Sequence, residues 1–489
     1  MSYNKLFIGG DLSGIQKFLY NISSKKAAVS LKGRSYYLQQ YMINISNELC
    51  EELKRVGSNI PEIIYCSGGK FYILADNTPA IADAVETFEK KTQMDLWKKH
   101  MGQLGICICY TPYLENEDGS INANGLNKQN PGLLWSILNR EFSRQKNQKF
   151  KNLITQEYDA YFCPIPVGGK PKVCVITGVE SQDCVTLRLN EDDDEESYVL
   201  PSVKEQILLG ESLRNSQKFR SFEDYADDTY LGVLRMDVDG LGQRFIKGFK
   251  SIGEYKKFSN RLTTFFSENI EKMQRDSSFR DFLNIIYSGG DDLFIVGRWD
   301  KVIDFASHIR IETAKLFSGD GITISGGVAV VHPKFPIAKA AELAGMAEDA
   351  AKNFNGGEKN AFHLLGKTVS WNKEFDYVLK FKNEFIQLIS EYKMSKGILH
   401  KIMLYSSLAD NNKSLASKGL PEDFSYIWHM SYYLTRMIER EDKNSPVRYF
   451  CSNLRDHELM GNNGRNLELM AVAARWAELL LKEKNDRIS

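Results

Sequence analysis

Two stretches of the chain repeat the same order of apolar and polar positions. In the first, the apolar run Leu6–Ile8 leads to Asp11, and in the second, Leu231–Met236 leads to Asp237. Short apolar runs bounded by glycine and polar residues predict strands. Self-similarity within one chain indicates two copies of a supersecondary unit. We therefore predict that each copy has a strand that ends near an aspartate.

A pair of apolar runs around two glycines follows in both copies. Ile63–Leu74 matches Ile285–Val296, apart from one extra residue before the glycines of the first copy. Because glycine permits the positive φ angles of tight turns, each segment predicts a β-hairpin. A third strand follows a helix-like stretch, at Gly105–Tyr110 and again at Gly321–Val328. The order β-α-β-β-α-β, found twice, predicts an α+β protein with two ferredoxin-like domains.

The pattern outside the two copies predicts two further regions. The segment between them is less regular, and its acidic run Glu191–Glu196 is typical of an exposed loop. Near the C-terminus, apolar residues recur at helical spacing, which predicts a helical domain. We predict a first copy at 1–115, a middle region at 116–225, a second copy at 226–372 and a helical domain at 373–489.

Composition limits the classes of function that the chain can have. Its 489 residues exceed one ordinary core, and its 63 basic and 63 acidic residues give no net charge. A neutral chain has no global positive field that holds long nucleic acids, so such contacts must be local or shared with partners. The sequence has no signal-peptide pattern and no apolar run of about 18 residues, so we expect a cytoplasmic protein without membrane contact.

The segment Tyr287–Phe294 is the strongest chemical signal, because it places Asp291 and Asp292 at a glycine turn. Magnesium prefers oxygen ligands from a few carboxylates and from the phosphates of a substrate. Asp237 at the end of a core strand can supply a third carboxylate. Asp239 is the reserve candidate, since alternate residues of a strand share a face. The pattern predicts a site for two Mg²⁺ or Mn²⁺ ions in a palm enzyme that transfers nucleotidyl groups.

Basic residues add candidate phosphate ligands. Lys352 and Lys359 could hold a γ-phosphate, although lysines at such positions are equally often only solvated. The basic cluster Ser23–Tyr37 could approach a second nucleotide or an RNA backbone, and the alternative is a basic loop that leads into a helix. The first hairpin reads Gly68–Lys70 and lacks both turn acids. We therefore expect the first palm to bind no catalytic metal pair.

Taken together, these motifs resemble the large signature subunit of type III CRISPR-Cas effector complexes, and in particular the Csm (type III-A) branch. The resemblance extends over nearly the whole chain. It is carried by four segments, namely Asp11–Phe18, Lys32–Leu38, Leu234–Gly242 and Tyr287–Asp292.

The resemblance implies an activity and partners. Binding of a target RNA to the guide CRISPR RNA would switch on the second palm, which would convert ATP into cyclic oligoadenylate. It also implies that Ser288, with Gly289 and Gly290, contacts bound nucleotide, while Lys352 and Lys359 hold the donor triphosphate. The expected partners are the guide and target RNAs, a small subunit and the subunit that binds the 5′ end of the guide.

Two departures from the family pattern give two negative expectations. Many members begin with an HD nuclease domain, whereas this sequence begins at the first palm and has no His-Asp dipeptide, so we expect no cleavage of DNA. The middle region resembles a degenerate zinc ribbon. Cys163, Cys174 and Cys184 lack the paired spacing of zinc ligands, and Thr177 stands where a partner cysteine is usual, so zinc is doubtful.

The sequence leaves two alternative functions open. The same palm could join AMP to another small molecule such as S-adenosylmethionine, because a metal site does not fix the acceptor. The chain could also be a non-catalytic scaffold subunit, since its first palm has already lost its turn acids. Retention of Asp291 and Asp292 argues against the scaffold for the second palm.

Overall fold

The structure is a computed structural model of the chain, and it describes residues 3–23, 25–59, 61–156, 158, 171–189, 196–226 and 229–486. The chain divides into two compact units. The first comprises Met1–Ile322 with Val331–Leu343, and the second comprises Thr323–Val330 with Ala344–Ser489. Within the described ranges, no helix is both long enough and apolar enough to cross a membrane.

The first copy of the repeat forms an antiparallel sheet in the first unit. Its strands are β1 (Lys5–Ser13), β2 (Glu62–Ser67), β3 (Lys70–Asp76), β4 (Gly105–Glu115), β5 (Ile121–Ala123) and β6 (Leu126–Lys128). Its helices are α1 (Ile15–Tyr20), α2 (Ala27–Arg55) and α3 (Pro79–His100). The strands lie in the order β2-β3-β1-β4-β5-β6. The first four strands and their helices confirm the predicted ferredoxin-like plan.

Apolar side chains between this sheet and its helices form the core of the first copy. Ile8 of β1, Ile73 of β3, Leu49 of α2 and Val85 of α3 have no exposed surface. Thr78 begins α3 by accepting a hydrogen bond from the backbone N–H of Ile81, a common way to satisfy the free donors of a helix start. This packing fixes where β1 and the β2–β3 hairpin end, which positions the first turn.

The middle of the chain contains short strands and several helices. The strands are β7 (Lys172–Val173), β8 (Glu180–Ser181), β9 (Val185–Leu187) and β10 (Ser197–Val199). The helices are α4 (Gly132–Lys146), α5 (Lys151–Gln156), α6 (Pro201–Gln217) and α7 (Phe222–Ala226). Cys174 and Cys184 are buried free cysteines, while Cys163 lies outside the described residues. Most of the predicted acidic loop also lies outside them.

The second copy begins with three antiparallel strands in the first unit. They are β11 (Leu231–Val238), β12 (Leu283–Gly289) and β13 (Asp292–Arg298), with β13 paired to both of the others. The helices of this part are α8 (Leu241–Lys247), α9 (Ile252–Thr264), α10 (Ile270–Gln274) and α11 (Trp299–Leu316), with a π-helical turn at Phe265–Asn269. The hairpin of β12 and β13 carries the acids that the sequence singled out.

The two hairpins correspond residue for residue, without the extra residue that the sequence match suggests. Ser67 pairs with Lys70 in the first hairpin, and Gly289 pairs with Asp292 in the second. Each hairpin also has one irregularity in its pairing, at Ile63/Tyr65 and at Ile285/Tyr287. The sequence match, which placed one Gly-Gly pair opposite the other, is therefore wrong by one position. The pairing of the strands, and not the position of the glycines, determines which residues form the turn. Gly68 and Gly69 correspond to Gly290 and Asp291.

The second unit contains three strands and a group of helices. The strands are β14 (Ile324–Val331), β15 (Ala361–Leu364) and β16 (Lys367–Ser370), with β14 parallel to β15 and β15 antiparallel to β16. The helices are α12 (Ile337–Lys352), which spans both units, α13 (Phe375–Glu391), α14 (Gly397–Ser417), α15 (Ser425–Arg440), α16 (Pro446–Asn453) and α17 (Arg465–Asp486). The predicted helical nature of the C-terminal region is confirmed.

An ion-pair network and an aromatic cluster hold the second unit together. Trp371 stacks on Phe362 with ring centroids 4.6 Å apart and meets Phe375 edge-on at 4.7 Å. Arg465 of α17 lies 2.8 Å from Glu374 and 2.6 Å from Glu468. Because these three charged side chains are largely buried, the guanidinium of Arg465 supplies the opposite charge that both carboxylates need.

Candidate functional site

A two-residue turn presents two of the predicted acids. Strand β12 ends at Gly289, β13 begins at Asp292, and Gly290 and Asp291 form the turn between them. Gly290 has a φ angle of +70°, which a side chain would strain and which the first central residue of a type II′ turn requires. Leu293 is buried just beyond the turn. Buried strands thus hold a half-buried pair of carboxylates at a fixed place.

Asp237 joins this turn from the neighbouring strand. In the antiparallel pairing of β11 with β13, Asp237 lies directly opposite Asp292. Oxygen atoms of the two carboxylates lie within 4.8 Å of each other, a spacing that suits a shared cation. The backbone N–H of Val238 donates to the carbonyl oxygen of Asp291 at 3.2 Å, which ties the turn to the end of β11. The structure therefore brings Asp237, Asp291 and Asp292 to one corner of the sheet.

Asp239 follows immediately after β11. It is 8% exposed, which makes it more buried than Asp237. Strand β11 ends at Val238, so the alternation argument that placed Asp237 and Asp239 on one face does not extend to Asp239. Of the two, Asp237 is accordingly better placed to share a cation with Asp292.

The equivalent corner of the first copy carries lysines in place of acids. Asp11 on β1 lies opposite Lys70, as Asp237 lies opposite Asp292. The Asp11 side chain is 6% exposed, and its Oδ2 lies 2.8 Å from Nζ of Lys146 and 3.9 Å from Nζ of Lys70. Two ammonium groups thus neutralise the one remaining acid. This is a physical reason to expect that the first palm does not need a metal ion.

The turn of the first hairpin lies against the turn of the second. Ser67 Oγ accepts a hydrogen bond from the backbone N–H of Gly290 at 2.6 Å. A Cβ atom on Gly290 would lie only 2.8 Å from Cα of Gly68, so no side chain fits there. The rings of Tyr20 and Phe294 meet edge-on with centroids 5.1 Å apart. The first copy therefore supports the acidic turn through direct contacts.

A pocket of about 370 Å³ opens beside Asp292. One wall is formed by residues of the second hairpin, including Tyr287, and the other by the segment that links β1 to α1. Lys17, Lys146 and Arg235 also line it. Its size lies in the range of small-ligand sites. Three basic side chains beside one acid give this pocket a wall suited to phosphate groups.

Ser288 has a structural partner in addition to its predicted contact with nucleotide. Its hydroxyl donates to the carbonyl oxygen of Phe266, which belongs to the π-helical turn. Because a hydroxyl oxygen also has two lone pairs, Ser288 keeps the capacity to accept a hydrogen bond from a ligand. Burial and the nearby Asp292 and Asp291 raise the pKa of the neighbouring Tyr287, so its phenol stays neutral.

The two predicted lysines lie in the second unit. Lys352 ends α12, and its ammonium lies 2.7 Å from the carboxylate of Glu348, whose side chain is 5% exposed. Lys359 is half-buried and has a φ angle of +59° in the loop before β15. The sequence analysis did not name Glu348, although a Glu four residues before a Lys on one helix is the spacing that indicates such a pair.

In the basic cluster Ser23–Tyr37, the residues from Ala27 onward form the start of α2, which agrees with the helix of its alternative interpretation. Arg34 is 1% exposed and donates to the carbonyl oxygens of Phe18 and Asn21. Lys26 pairs with Glu211. The buried Arg34 holds the fold together and does not reach a ligand, whereas contact of the rest of the cluster with a second nucleotide or RNA stays a prediction.

Two family models match the chain. One describes the Csm1 subunit domain B and matches residues 4–162, and the other describes the second palm domain of Cas10/Cmr2 and matches residues 230–363. Both copies of the repeat are therefore matched by models of one family, and the second model covers the acidic hairpin.

Curated relatives and solved structures agree with these models. The CRISPR system single-strand-specific deoxyribonuclease Cas10/Csm1 (subtype III-A) of Enterococcus italicus is 28% identical over 463 residues, which cover 81% of this chain and 59% of the relative. The protein of the same name from Mycobacterium tuberculosis is 28% identical over 527 residues, covering 91% and 63%. The crystal structure of an apo Csm1–Csm4 cassette has a TM-score of 0.67 at 18% identity, covering 98% of this chain and 70% of that one.

Paired ferredoxin-like copies, one with an aspartate opposite a Gly-Gly-Asp-Asp hairpin, define a palm protein of the nucleotide cyclase and polymerase type. The chain belongs to the Cas10/Csm1 family of type III-A CRISPR systems. It spans about three fifths of the length of the curated relatives that it matches.

Proposed function

We propose that the second palm converts ATP into cyclic oligoadenylate, and that it does so when a type III complex holds a guide RNA paired to its target. The observation that carries this proposal is the cross-strand pair of Asp237 and Asp292 at the turn that bears Asp291. Family membership supports it, because the matched palm model covers all three acids.

The acids fit a site for two Mg²⁺ or Mn²⁺ ions. Facing carboxylates repel each other unless a cation lies between them, and hard oxygen donors are the ligands that these ions prefer. We assign Asp237, Asp291 and Asp292 as the ligands, with Asp239 in reserve. Bound ions would neutralise the phosphates and stabilise the charge that develops at the reacting phosphorus.

The other residues of the site bind and orient the nucleotides. Gly289 is half-buried and has no side chain, so a ribose or phosphate can approach its backbone closely. Gly290 is assigned with it as the buried residue that forms the turn beside Asp291. Ser288 can accept a hydrogen bond from the acceptor nucleotide. Lys352 and Lys359 are assigned to the donor triphosphate, and the basic pocket beside Asp292 to the phosphates of the acceptor.

The proposed reaction is an in-line displacement. The 3′-hydroxyl oxygen of one ATP bonds to the α-phosphorus of another, and the bond from that phosphorus to pyrophosphate breaks. The hydroxyl proton passes to solvent, since the acidic motif contains no obvious general base. Repetition and a final closure join the adenylates by 3′–5′ linkages into a ring.

The proposed partners follow the relatives. Structures similar in fold are described as Csm1–Csm4 cassettes, and some of them are complexes with cA4, with cA3 or with one ATP. By analogy, we propose that this chain assembles with a Csm4-type subunit that binds the 5′ end of the guide, with a small subunit, and with guide and target RNA. The neutral net charge fits a chain that shares its RNA contacts with partners.

The test is product analysis on the assembled complex. Complexes with guide RNA, matching target RNA, Mg²⁺ and ATP are analysed by mass spectrometry, with the double variant Asp291→Ala/Asp292→Ala in parallel. A matched control is Asp83→Ala/Asp95→Ala, which removes two exposed acids from α3. We expect cyclic adenylate from the native and control complexes and none from the double variant.

Other outcomes identify the alternatives. If ATP is consumed only after S-adenosylmethionine or a similar acceptor is added, the palm makes an AMP conjugate. If no acceptor supports turnover, and the double variant behaves like the native complex, the chain is a scaffold and the proposal is wrong.

A further inference from the structure

A second cavity, of about 590 Å³, lies in the first unit near the start of β12. Residues of α2, α10, β12 and the segment between α6 and α7 form its walls. None of its lining residues belongs to the acidic turn or to the pocket beside Asp292. The cavity is large enough for a mononucleotide.

The inner wall of this cavity carries a buried ammonium group. Nζ of Lys32 donates to the carbonyl oxygen of Ile285 at 2.6 Å. An ammonium has three N–H donors, and this hydrogen bond uses one of them. Burial lowers the pKa of Lys32 to about 8, while the charge of Glu271 opposes that shift. The ammonium therefore has donors left for a ligand.

Asn284 supplies a second donor on the same wall. Its side chain is 6% exposed, and its Nδ2 has no hydrogen-bond partner within the described ranges. A buried amide nitrogen without a hydrogen-bond partner has an energetic cost, because folding removed it from water. An acceptor atom in the cavity would remove this cost. Lys32 and Asn284 thus place an ammonium group and an amide nitrogen without a partner in the lining of one cavity.

The outer wall adds positive charge and two aromatic rings. Lys218, Arg275 and Arg280 also line the cavity, so that with Lys32 it has four basic side chains against two acidic ones. Both acids have arginine partners, Glu271 at 3.4 Å from Arg275 and Asp281 at 3.5 Å from Arg280. The rings of Phe219 and Tyr225 complete the wall.

We propose that this cavity is a binding site for a nucleoside monophosphate, with the phosphate on Lys32 and Asn284 and the base near Phe219 and Tyr225. A phosphate offers several acceptor oxygens and a negative charge, which match the donors of the inner wall. The site is separate from the proposed catalytic site. It also contacts β12 through Ile285, three residues before Ser288 on the strand that ends at the acidic turn.

The test measures ligand binding to the full chain without divalent ions. Isothermal titration with AMP, inorganic phosphate and adenosine is carried out on the Asp291→Ala/Asp292→Ala background, in EDTA, so that the proposed catalytic site contributes little. We expect AMP to bind with a sub-millimolar Kd, phosphate to bind more weakly and adenosine not to bind. We further expect Lys32→Met to weaken AMP binding at least tenfold and Lys98→Met, an exposed control on α3, to leave it unchanged.

A second variant protects the test against misfolding. Arg280 is largely exposed, so Arg280→Gln should fold normally and weaken AMP binding about threefold through the lost charge. The proposal is overturned if AMP does not bind, if neither variant weakens binding, or if adenosine binds as well as AMP.

Discussion

The hydroxyl of Ser67 connects the first palm to the candidate catalytic turn, and Ser67→Ala removes that connection while leaving both hairpins intact. The hydroxyl oxygen accepts a hydrogen bond from the backbone N–H of Gly290 at 2.6 Å. Gly290 is buried, so alanine at position 67 leaves its N–H without an acceptor. We expect the turn to shift towards another acceptor, taking Asp291 and Asp292 with it.

The size of the effect follows from the energy of one hydrogen bond. A buried donor that loses its partner costs about 1–3 kcal/mol. About 1.4 kcal/mol corresponds to a factor of ten in rate. If the lost hydrogen bond raises the activation free energy by this amount, turnover falls about tenfold. The overall fold should survive, since the sheet pairing of both hairpins is unaffected.

The assay compares turnover and stability in the same variants. Initial rates of ATP conversion by the assembled complex are measured beside urea unfolding of the isolated chain. The control is Thr92→Val in α3, which removes a buried hydroxyl bonded to the carbonyl oxygen of Phe88 at 2.8 Å, far along the chain from either turn. We expect similar losses of stability in both variants, and a loss of rate in Ser67→Ala alone.

Equal rates for Ser67→Ala and the native complex would refute this reasoning. The contact between the hairpins would then be incidental, and the strands of the second copy would hold the acidic turn without help. Equal rate losses in both variants would also count against it, because the rate would then follow general stability.

Two further predictions concern the first palm. Asp11→Asn and Lys146→Met should each lower the free energy of unfolding. The loss in the double variant should be smaller than the sum of the two single losses by about 1 kcal/mol, a modest coupling because Lys146 is more than a third exposed and solvent screens the pair. Additive losses in urea unfolding would contradict this. Burial, with the charges of Lys99 and Arg34, lowers the pKa of His100 to about 3, so below pH 6.5 the unfolded chain takes up a proton that the folded chain refuses. Between pH 6.5 and pH 5, the free energy of unfolding of the native chain should therefore fall by about 2 kcal/mol more than that of His100→Gln. Parallel curves of unfolding free energy against pH for the two proteins would show that His100 does not titrate in this way.

Local patterns predicted much of the fold and of the candidate site. The hairpins follow from apolar runs around glycines, and the acids stand inside those patterns, so their places near strand ends could be read from the chain. The register could not be read in this way. Two glycine pairs look equivalent in sequence, but the bulges and strand pairings match Gly68 with Gly290 instead of Gly289.

Contacts between distant segments were beyond sequence reasoning. Lys146 lies 135 residues from Asp11, and Ser67 lies 223 residues from Gly290. Neither pairing leaves a local pattern, because each depends on how separate elements pack. The basic cluster shows the same limit, since a run of charges does not reveal that Arg34 points into the core and is only 1% exposed.

The lysines around Asp11 have a consequence for how the two palms respond to their surroundings. A metal ion dissociates, and a chelator or a shortage of magnesium can remove it, whereas an ammonium group attached to the chain stays in place under all of these conditions. The first palm therefore keeps its charge balance whatever the supply of divalent ions. The hairpin of the first palm contacts the acidic turn of the second palm. Its conformation does not depend on a bound ion, so it supports the acidic turn both before and after an ion binds there.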